Sequence, residues 1–431
     1  MKIKALLISM FVIIAGLATV ITINEIENDT TSSENVESGD EIPELGDIVS
    51  FDDAVNAFSF DIYKKFFEDP ANIDNIFTSP YSIFVALAMT YEGANGETAE
   101  EMKQVLNIEQ DNESFHNYMK SLYTYLNYND LYNISTANAL WIKENYPIFQ
   151  AYKDLILEYY GGDSTDMDFS NPAQAADIIN SWIEEQTNNL IKDLISPADI
   201  DPVLTTMILT NAIYFKGTWK VQFDEQNTSD DDFTLSNGET IQVPTMKLTE
   251  TQNTFYYNYN EDMQMLELPY TGDNISMVIF LPKDGKDLSD VINYLNHESY
   301  ANLIDSATKT EVDIYLPKFK IETPIYNLNE YLKELGMPKA FSGEADFSGM
   351  TDFEQLYISK VLHKAFIDVN EEGTEAAAAT AVIIFKTSYP NDNEDPRIEF
   401  KADHPFLFTI HHKDTNTILF MGEVINPTYD E

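Results

Sequence analysis

The chain has 431 residues, 44% of them hydrophobic, enough to bury the core of one large domain or two ordinary ones. Its 73 acidic residues against 25 basic ones give a net charge of −48, which repels nucleic acid and anionic membrane surfaces. It has no cysteine, so disulfides and thiol chemistry are excluded.

In chain order, Met1-Lys2-Ile3-Lys4 is a basic start. Ala5 to Ile23 follows as an apolar run broken only by Ser9, Gly16, Thr19 and Thr22. Residues 1–23 thus read as an export signal with a small-x-small site at Gly16-Leu17-Ala18, or, if retained, as an N-terminal anchor. The expected location is secreted or cell-surface anchored, with membrane contact only through this segment. Residues 24–49 are acidic, rich in Ser, Thr and Asn, and free of aromatics, as in a disordered tether. Sequons at Asn28, Asn112, Asn133, Asn227 and Asn274 are near the chance number for so Asn-rich a chain.

Order is expected from Ser50, spaced to Asp53 as a helix cap, and one domain fills 50–431. Val55, Phe58, Ile62 and Phe66 form a helical stripe. Thr98 and Glu101 are spaced as a capping box for a helix through Val105. Asn171-Pro172 reads as cap and first turn of a helix whose buried side is Ile178, Ile179, Trp182, Ile183, Leu190 and Ile191. Met207 to Phe215 suits a strand covered on both faces. Met263 to Pro269 and Ile275 to Pro282 read as a hairpin around Gly272-Asp273-Asn274. Val312, Ile314 and Leu316 alternate as in a half-buried strand. Phe406 to Ile410 and Ile418 to Val424 are two strands joined at Lys413-Asp414-Thr415-Asn416. Helices early and strands late predict an α+β fold.

Catalytic signatures are absent. The six histidines include no H-E-x-x-H pair, and there is neither a G-x-S-x-G elbow nor a glycine-rich phosphate loop. His411 and His412 are adjacent, so on a strand they point to opposite faces and make a poor metal site. No metal and no cofactor is expected, and no enzyme.

The most informative stretch is Glu371-Glu372-Gly373-Thr374-Glu375 followed by four alanines and Thr380. Read locally it starts a helix, since Thr374 caps, Glu375 suits a first turn and alanine has the highest helix propensity. Read as an extended chain, it places the small residues Thr374, Ala376, Ala378 and Thr380 on one face, behind a Gly373 pivot. Propensity leaves both open.

Its neighbours decide between them. Asn75-Ile76-Phe77-Thr78-Ser79-Pro80-Tyr81-Ser82-Ile83, Leu209-Thr210-Asn211-Ala212-Ile213-Tyr214-Phe215-Lys216-Gly217-Thr218-Trp219 and Phe280-Leu281-Pro282 occur in that order. Leu316-Pro317-Lys318-Phe319, Asp346-Phe347-Ser348-Gly349 and Ile358-Ser359-Lys360-Val361-Leu362-His363-Lys364 come next. His404-Pro405-Phe406-Leu407-Phe408 and Phe420-Met421-Gly422-Glu423-Val424-Ile425-Asn426-Pro427 complete the set. With the stretch above, these resemble the motifs of the serpin family in family order over roughly residues 51–428.

The resemblance implies a serpin fold: a large central β-sheet, further sheets, surrounding helices and an exposed reactive loop. It implies an irreversible suicide-substrate inhibitor of serine proteases, acting as a monomer. The cut loop enters the central sheet and traps the acyl-enzyme. The alternative is a non-inhibitory chaperone or surface-binding protein of the same fold, which would tolerate bulky or charged hinge residues. By motif position the hinge is Glu371, Gly373, Thr374, Ala376, Ala378 and Thr380. Ser79, Ser82, Asn180 and His363 match the cluster that holds the sheet shut, and Trp219 and Glu371 match its upper end.

Counting seventeen residues from Glu371 puts the reactive bond at Thr387-Ser388, suited to elastase-like or subtilisin-like proteases. A count one shorter gives Lys386-Thr387, suited to trypsin-like ones, and Phe385 is a third choice. The stretch from Tyr389 to Pro396 departs from the family pattern, and any extra length there shifts the bond. Arg397, the one arginine of the chain, lies beyond it and reads as structural.

Overall fold

Residues 52–109, 111–127, 132–249, 253–352, 356–374 and 397–429 are described by a computed structural model. The proposed leader, tether and Ser50 cap lie outside them. Among the described residues no helix is long and apolar enough to cross a membrane.

The first part of the chain is α1 (Asp52–Glu68), β1 (Phe77–Thr78), α2 (Pro80–Tyr91), α3 (Gly96–Val105), α4 (Asn112–Asn127), β2 (Asn133–Lys143), α5 (Gln150–Tyr160), β3 (Asp163–Met167) and α6 (Pro172–Gln186). Strands then dominate: β4 (Met207–Thr218), β5 (Ser229–Thr234), β6 (Thr240–Leu248), β7 (Thr254–Tyr259), β8 (Met263–Pro269) and β9 (Ile275–Pro282). After α7 (Leu288–Tyr294) and α8 (His297–Asp305) come β10 (Thr308–Pro317), β11 (Phe319–Glu322), β12 (Tyr326–Asn327) and α9 (Asn329–Leu335). The last strands are β13 (Lys360–Val369), β14 (Gly373–Thr374), β15 (Ile398–Lys401), β16 (Phe406–His412) and β17 (Thr417–Val424). Helices early and strands late holds only as a tendency, since β2 and β3 lie in the first half and α7 to α9 in the second.

Among the described residues the strands make two sheets. One has the order β11-β13-β14-β4-β2-β3, with β12 also on β13; the other runs β1-β17-β16-β9-β8-β7-β10-β6-β5, with β15 on β10. The α1 stripe of Val55, Phe58, Ile62 and Phe66 is fully buried. Helix α2 is apolar all round and buried from Pro80 to Thr90, as befits a helix in the core. Ser79 caps it, its side chain accepting from the Ser82 amide. The β8–β9 and β16–β17 hairpins form in the expected places.

Local reading fails at two helices. Thr98 and Glu101 do not cap α3, whose cap residue Asn95 makes no side-chain capping bond. Instead Thr98 Oγ1 accepts from the Asp346 amide at 3.0 Å and a Glu101 oxygen from the Lys339 amide at 2.9 Å. At α6 the Asn171 cap and Pro172 are as expected, but Ile178 is 45% exposed. Ala175 and Ala176 take the buried positions beside Ile179 and Ile183. Small residues suit that contact, because α6 lies on a sheet face itself lined by Ala137, Ala139 and Ala212.

Candidate functional site

Strands β13 and β4 run parallel and pair over six positions, Lys360–Ala365 against Ile208–Ile213. Further along they part, and β14 lies between them. Thr374 pairs with Val369 on one side and Gly217 on the other, and Gly373 pairs with Thr218. The same two strands are therefore joined at one end and split by a third at the other. Glycine is required at 373, because a Cβ there would stand 2.1 Å from the Gly217 carbonyl oxygen.

Aromatic and charged groups hold the split end. Thr374 is buried, and its hydroxyl lies 2.6 Å from the Tyr270 hydroxyl. Tyr270 stacks on Trp219 with ring centroids 4.4 Å apart. Trp219 donates twice to the turn before β14, from Nε1 to the Asn370 carbonyl and from its amide to the Glu372 carbonyl, both at 2.9 Å. The Phe223 amide donates to the Glu371 carbonyl at 3.0 Å. The Glu371 carboxylate accepts from Thr228 Oγ1 at 2.8 Å and pairs with Lys318 at 3.0 Å. Burial pushes its carboxyl up, but the bonds from Lys318 and Thr228 outweigh that and hold it below the usual range.

A second cluster bridges the joined end. The Ser79 amide donates to His363 Nε2 at 3.1 Å, and Ser79 Oγ donates to the Leu419 carbonyl at 2.6 Å. With Nε2 accepting, the His363 proton sits on Nδ1 and is donated to Asn211 Oδ1. Asn211 Nδ2 donates to Ser82 Oγ at 2.5 Å and to Asn138 Oδ1 at 2.6 Å, and Ser82 Oγ donates to Asn138 Oδ1 at 2.9 Å. Every member is buried. Burial pushes His363 down to about 3, partly opposed by Asn211, so the ring is neutral. The network ties α2, β2, β4, β13 and β17 together where β13 and β4 meet.

Asn180 is not in this network. It sits on α6, where its side chain bonds both the carbonyl and the amide of Ile195 at 2.8 and 3.0 Å. The asparagines that join Ser79, Ser82 and His363 are Asn211 and Asn138. Asn211 could have been found from sequence, being a polar residue inside the apolar run Met207 to Phe215 that must find a partner when buried. Asn138 carries no comparable signal. Ala376, Ala378 and Thr380 of the hinge lie outside the described residues. So do Phe385, Lys386, Thr387 and Ser388 of the reactive bond. Arg397 pairs with Glu311 and Asp313 of β10 at 3.1 and 3.0 Å. His411 and His412 are both buried and held near 4 by burial, and the described residues contain no metal-binding group of three or more side chains.

The chain matches the family of serpins (serine protease inhibitors) over residues 53–427. It is 42% identical to an uncharacterized serpin-like protein of Thermococcus kodakarensis, over 92% of this chain and 89% of that one. It is 37% identical to serpin B3 of Homo sapiens, over 88% of this chain and 100% of that one. Among solved structures, Serpin48 of the insect Tenebrio molitor aligns with a TM-score of 0.79 and 36% identity, covering 88% of this chain and 98% of its own.

Proposed function

The chain belongs to the serpin family, and from that premise we propose that it is an exported, monomeric inhibitor that traps serine proteases by being cut. Serpins in general are inhibitors of serine proteases and not enzymes. The observation that carries the finer reading is the half-split seam, with β14 seated between β13 and β4 at one end only.

Continuing the register of Thr374 against Gly217 would bring Ile383 opposite Ile208, at the far end of the seam. Insertion would exchange one parallel ladder for two antiparallel ones, each slightly more stable per residue. Alanine is a poor strand former, so completing the sheet, and not loop propensity, supplies the drive. Gly373 to Thr387 spans 15 residues, about 50 Å when extended, against the 12 residues of β4. A cut after Thr387 thus leaves enough chain to fill the seam. The network around His363 must break as the strand passes, which makes the uncut state a kinetic trap.

Export follows from the basic start and the 19-residue apolar run at 5–23, with the chain either released or held at the cell surface. Elastase-like and subtilisin-like proteases are the targets if Thr387 precedes the bond, and trypsin-like ones if Lys386 does. The test is to mix the purified domain separately with subtilisin, elastase and trypsin, then run denaturing gels with mass spectrometry. A denaturant-stable complex and a released peptide beginning at Ser388 are expected; a peptide beginning at Thr387 moves the bond by one. Clean cleavage with no complex from any protease would overturn inhibition in favour of a carrier or chaperone of the same fold.

A further inference from the structure

The segment that follows β17 returns to the hinge. Pro427 is buried, and the Thr428 carbonyl accepts from the Lys320 amide at 3.1 Å. Tyr429, next in the chain, is half-buried with its ring beneath Lys318, whose Nζ stands 4.4 Å from the ring centroid. That ammonium is the partner of Glu371 at 3.0 Å, and the two side chains are only 16% and 7% exposed. Burial and the neighbouring Asp368 carboxylate hold the Tyr429 hydroxyl above its ordinary range, partly opposed by the Asn370 side chain. Asp368 is in β13. Asn370 opens the turn into β14, where its amide donates to the Gly373 carbonyl and its side-chain oxygen accepts from Glu372, both at 3.0 Å. One side chain therefore lies beside the end of β13 and, through Lys318, meets the Glu371 carboxylate of the turn.

We propose that Tyr429 is a positioning residue for loop insertion: it fixes the Asn370–Glu372 turn and so keeps β14 seated between β13 and β4. The proposal rests on the trapping reading above. Ordering the first residues of an incoming strand is opposed by chain entropy, before later pairs reward it. A turn already fixed on both sides removes part of that barrier. Without Tyr429 the turn loosens, β14 leaves its seat more often, and insertion loses ground to release of the protease by water. More inhibitor would then be cut for each protease trapped. The cation–π contact and the hydroxyl are separable, because phenylalanine keeps the ring and loses the oxygen.

The experiment compares the wild type with Tyr429→Ala and Tyr429→Phe by native amide hydrogen exchange and by titration against a protease that the wild type traps. In Tyr429→Ala, exchange at Trp219, Phe223, Asn370 and Glu372 should quicken about tenfold, with the amides of α2 unchanged. The ratio of cleaved to complexed inhibitor should rise about threefold, with Tyr429→Phe intermediate in both readings. Unchanged exchange at those four amides would overturn the proposal. So would uniform quickening that includes α2, which is global destabilisation, or an unchanged cleaved-to-complexed ratio. If the wild type traps none of the proteases, the inhibitor reading falls on its own, and the exchange data alone decide whether Tyr429 holds the turn.

Discussion

His363 and Asn211 are register partners across the seam between β13 and β4, and the histidine Nδ1 proton is donated directly to the asparagine oxygen. This bond joins the two strands that would have to separate. Its other ends reach Ser79 and Ser82 on the buried helix α2, so sheet and helix are fixed together. Replacing His363 by Ala leaves the buried Ser79 amide and Asn211 oxygen without partners. Each such orphan costs about 1–3 kcal/mol, so His363→Ala should lower unfolding stability by about 3 kcal/mol. Urea midpoints with an unchanged m-value check the size. The same variant should also lose trapping activity on warming faster than it unfolds. Equal rates would mean that the bond supports stability alone.

Three buried histidines set the acid limit. Burial holds His363 near 3, and His411 and His412 near 4, all below the ordinary 6.5 that they regain on unfolding. As pH falls below 6.5 the unfolded chain binds protons that the folded one refuses, so stability is present above that value and is lost on acidification. Each group contributes about 1.4 kcal/mol per pH unit, roughly 4 together. Glu423 acts with the opposite sign. Burial raises it to about 7, against a smaller pull from Tyr63, so it favours the folded state at low pH and loses that contribution as pH rises to 7. Between about pH 6 and 4.5 the balance is a loss of roughly 2.7 kcal/mol per unit of acidification. Urea midpoints across that range test the slope, and His363→Gln should reduce it by about half. A flat profile would mean that these rings take up protons without unfolding.

The elements legible in the sequence were those whose stabilising partners lie close in the chain or on one periodic face. The α1 stripe, the Asn171 cap and the β8–β9 hairpin are of that kind. Thr98 and Glu101 show the limit, because their spacing fits a local cap while their bonds go to Asp346 and Lys339, far along the chain. Ile178 lies on the exposed side of α6, whose buried positions facing the sheet are Ala175, Ala176, Ile179 and Ile183. The cluster at the seam was half legible. Ser79, Ser82 and His363 stand in motifs, but which asparagine joins them depends on the parallel register of β13 and β4. That register places Asn211 opposite His363 and leaves Asn180 on α6. Nothing local marks Tyr429 either, since the ammonium over its ring belongs to Lys318, more than a hundred residues earlier in the chain.

The charge of −48 predicts a response to salt. With 73 acidic residues and 25 basic ones, most carboxylates have no cation to pair with and repel each other across the surface. Unfolding spreads these charges apart, so repulsion favours the unfolded chain at low ionic strength. Raising salt from 0.1 to 1 M shortens the screening length from about 10 to about 3 Å. The melting temperature should therefore climb steadily with sodium chloride and with potassium chloride alike. A melting temperature independent of salt over that range would show that the acidic surface is already balanced by local pairing.

The alternation of the hinge yields the sharpest functional contrast. Thr374 is buried against Tyr270, so in a strand continuing from it Ala376 falls on the same face, opposite Phe215 by register. Ala376→Arg would carry a charge into a dry interface during insertion, at a penalty of several kcal/mol. Insertion should stall, water should release the protease, and the variant should be cut at the same bond as the wild type with no denaturant-stable complex. Glu375→Lys places a charge on the opposite face, where the wild type already carries one, and should keep trapping. Both variants bind and are cut through residues well downstream, so initial cleavage rates should agree within about twofold, because differences in binding reach only a few tenths of a kcal/mol. Gels at fixed protease and rising inhibitor separate the outcomes. A complex formed by Ala376→Arg as readily as by the wild type would show that this face of the loop never enters the sheet.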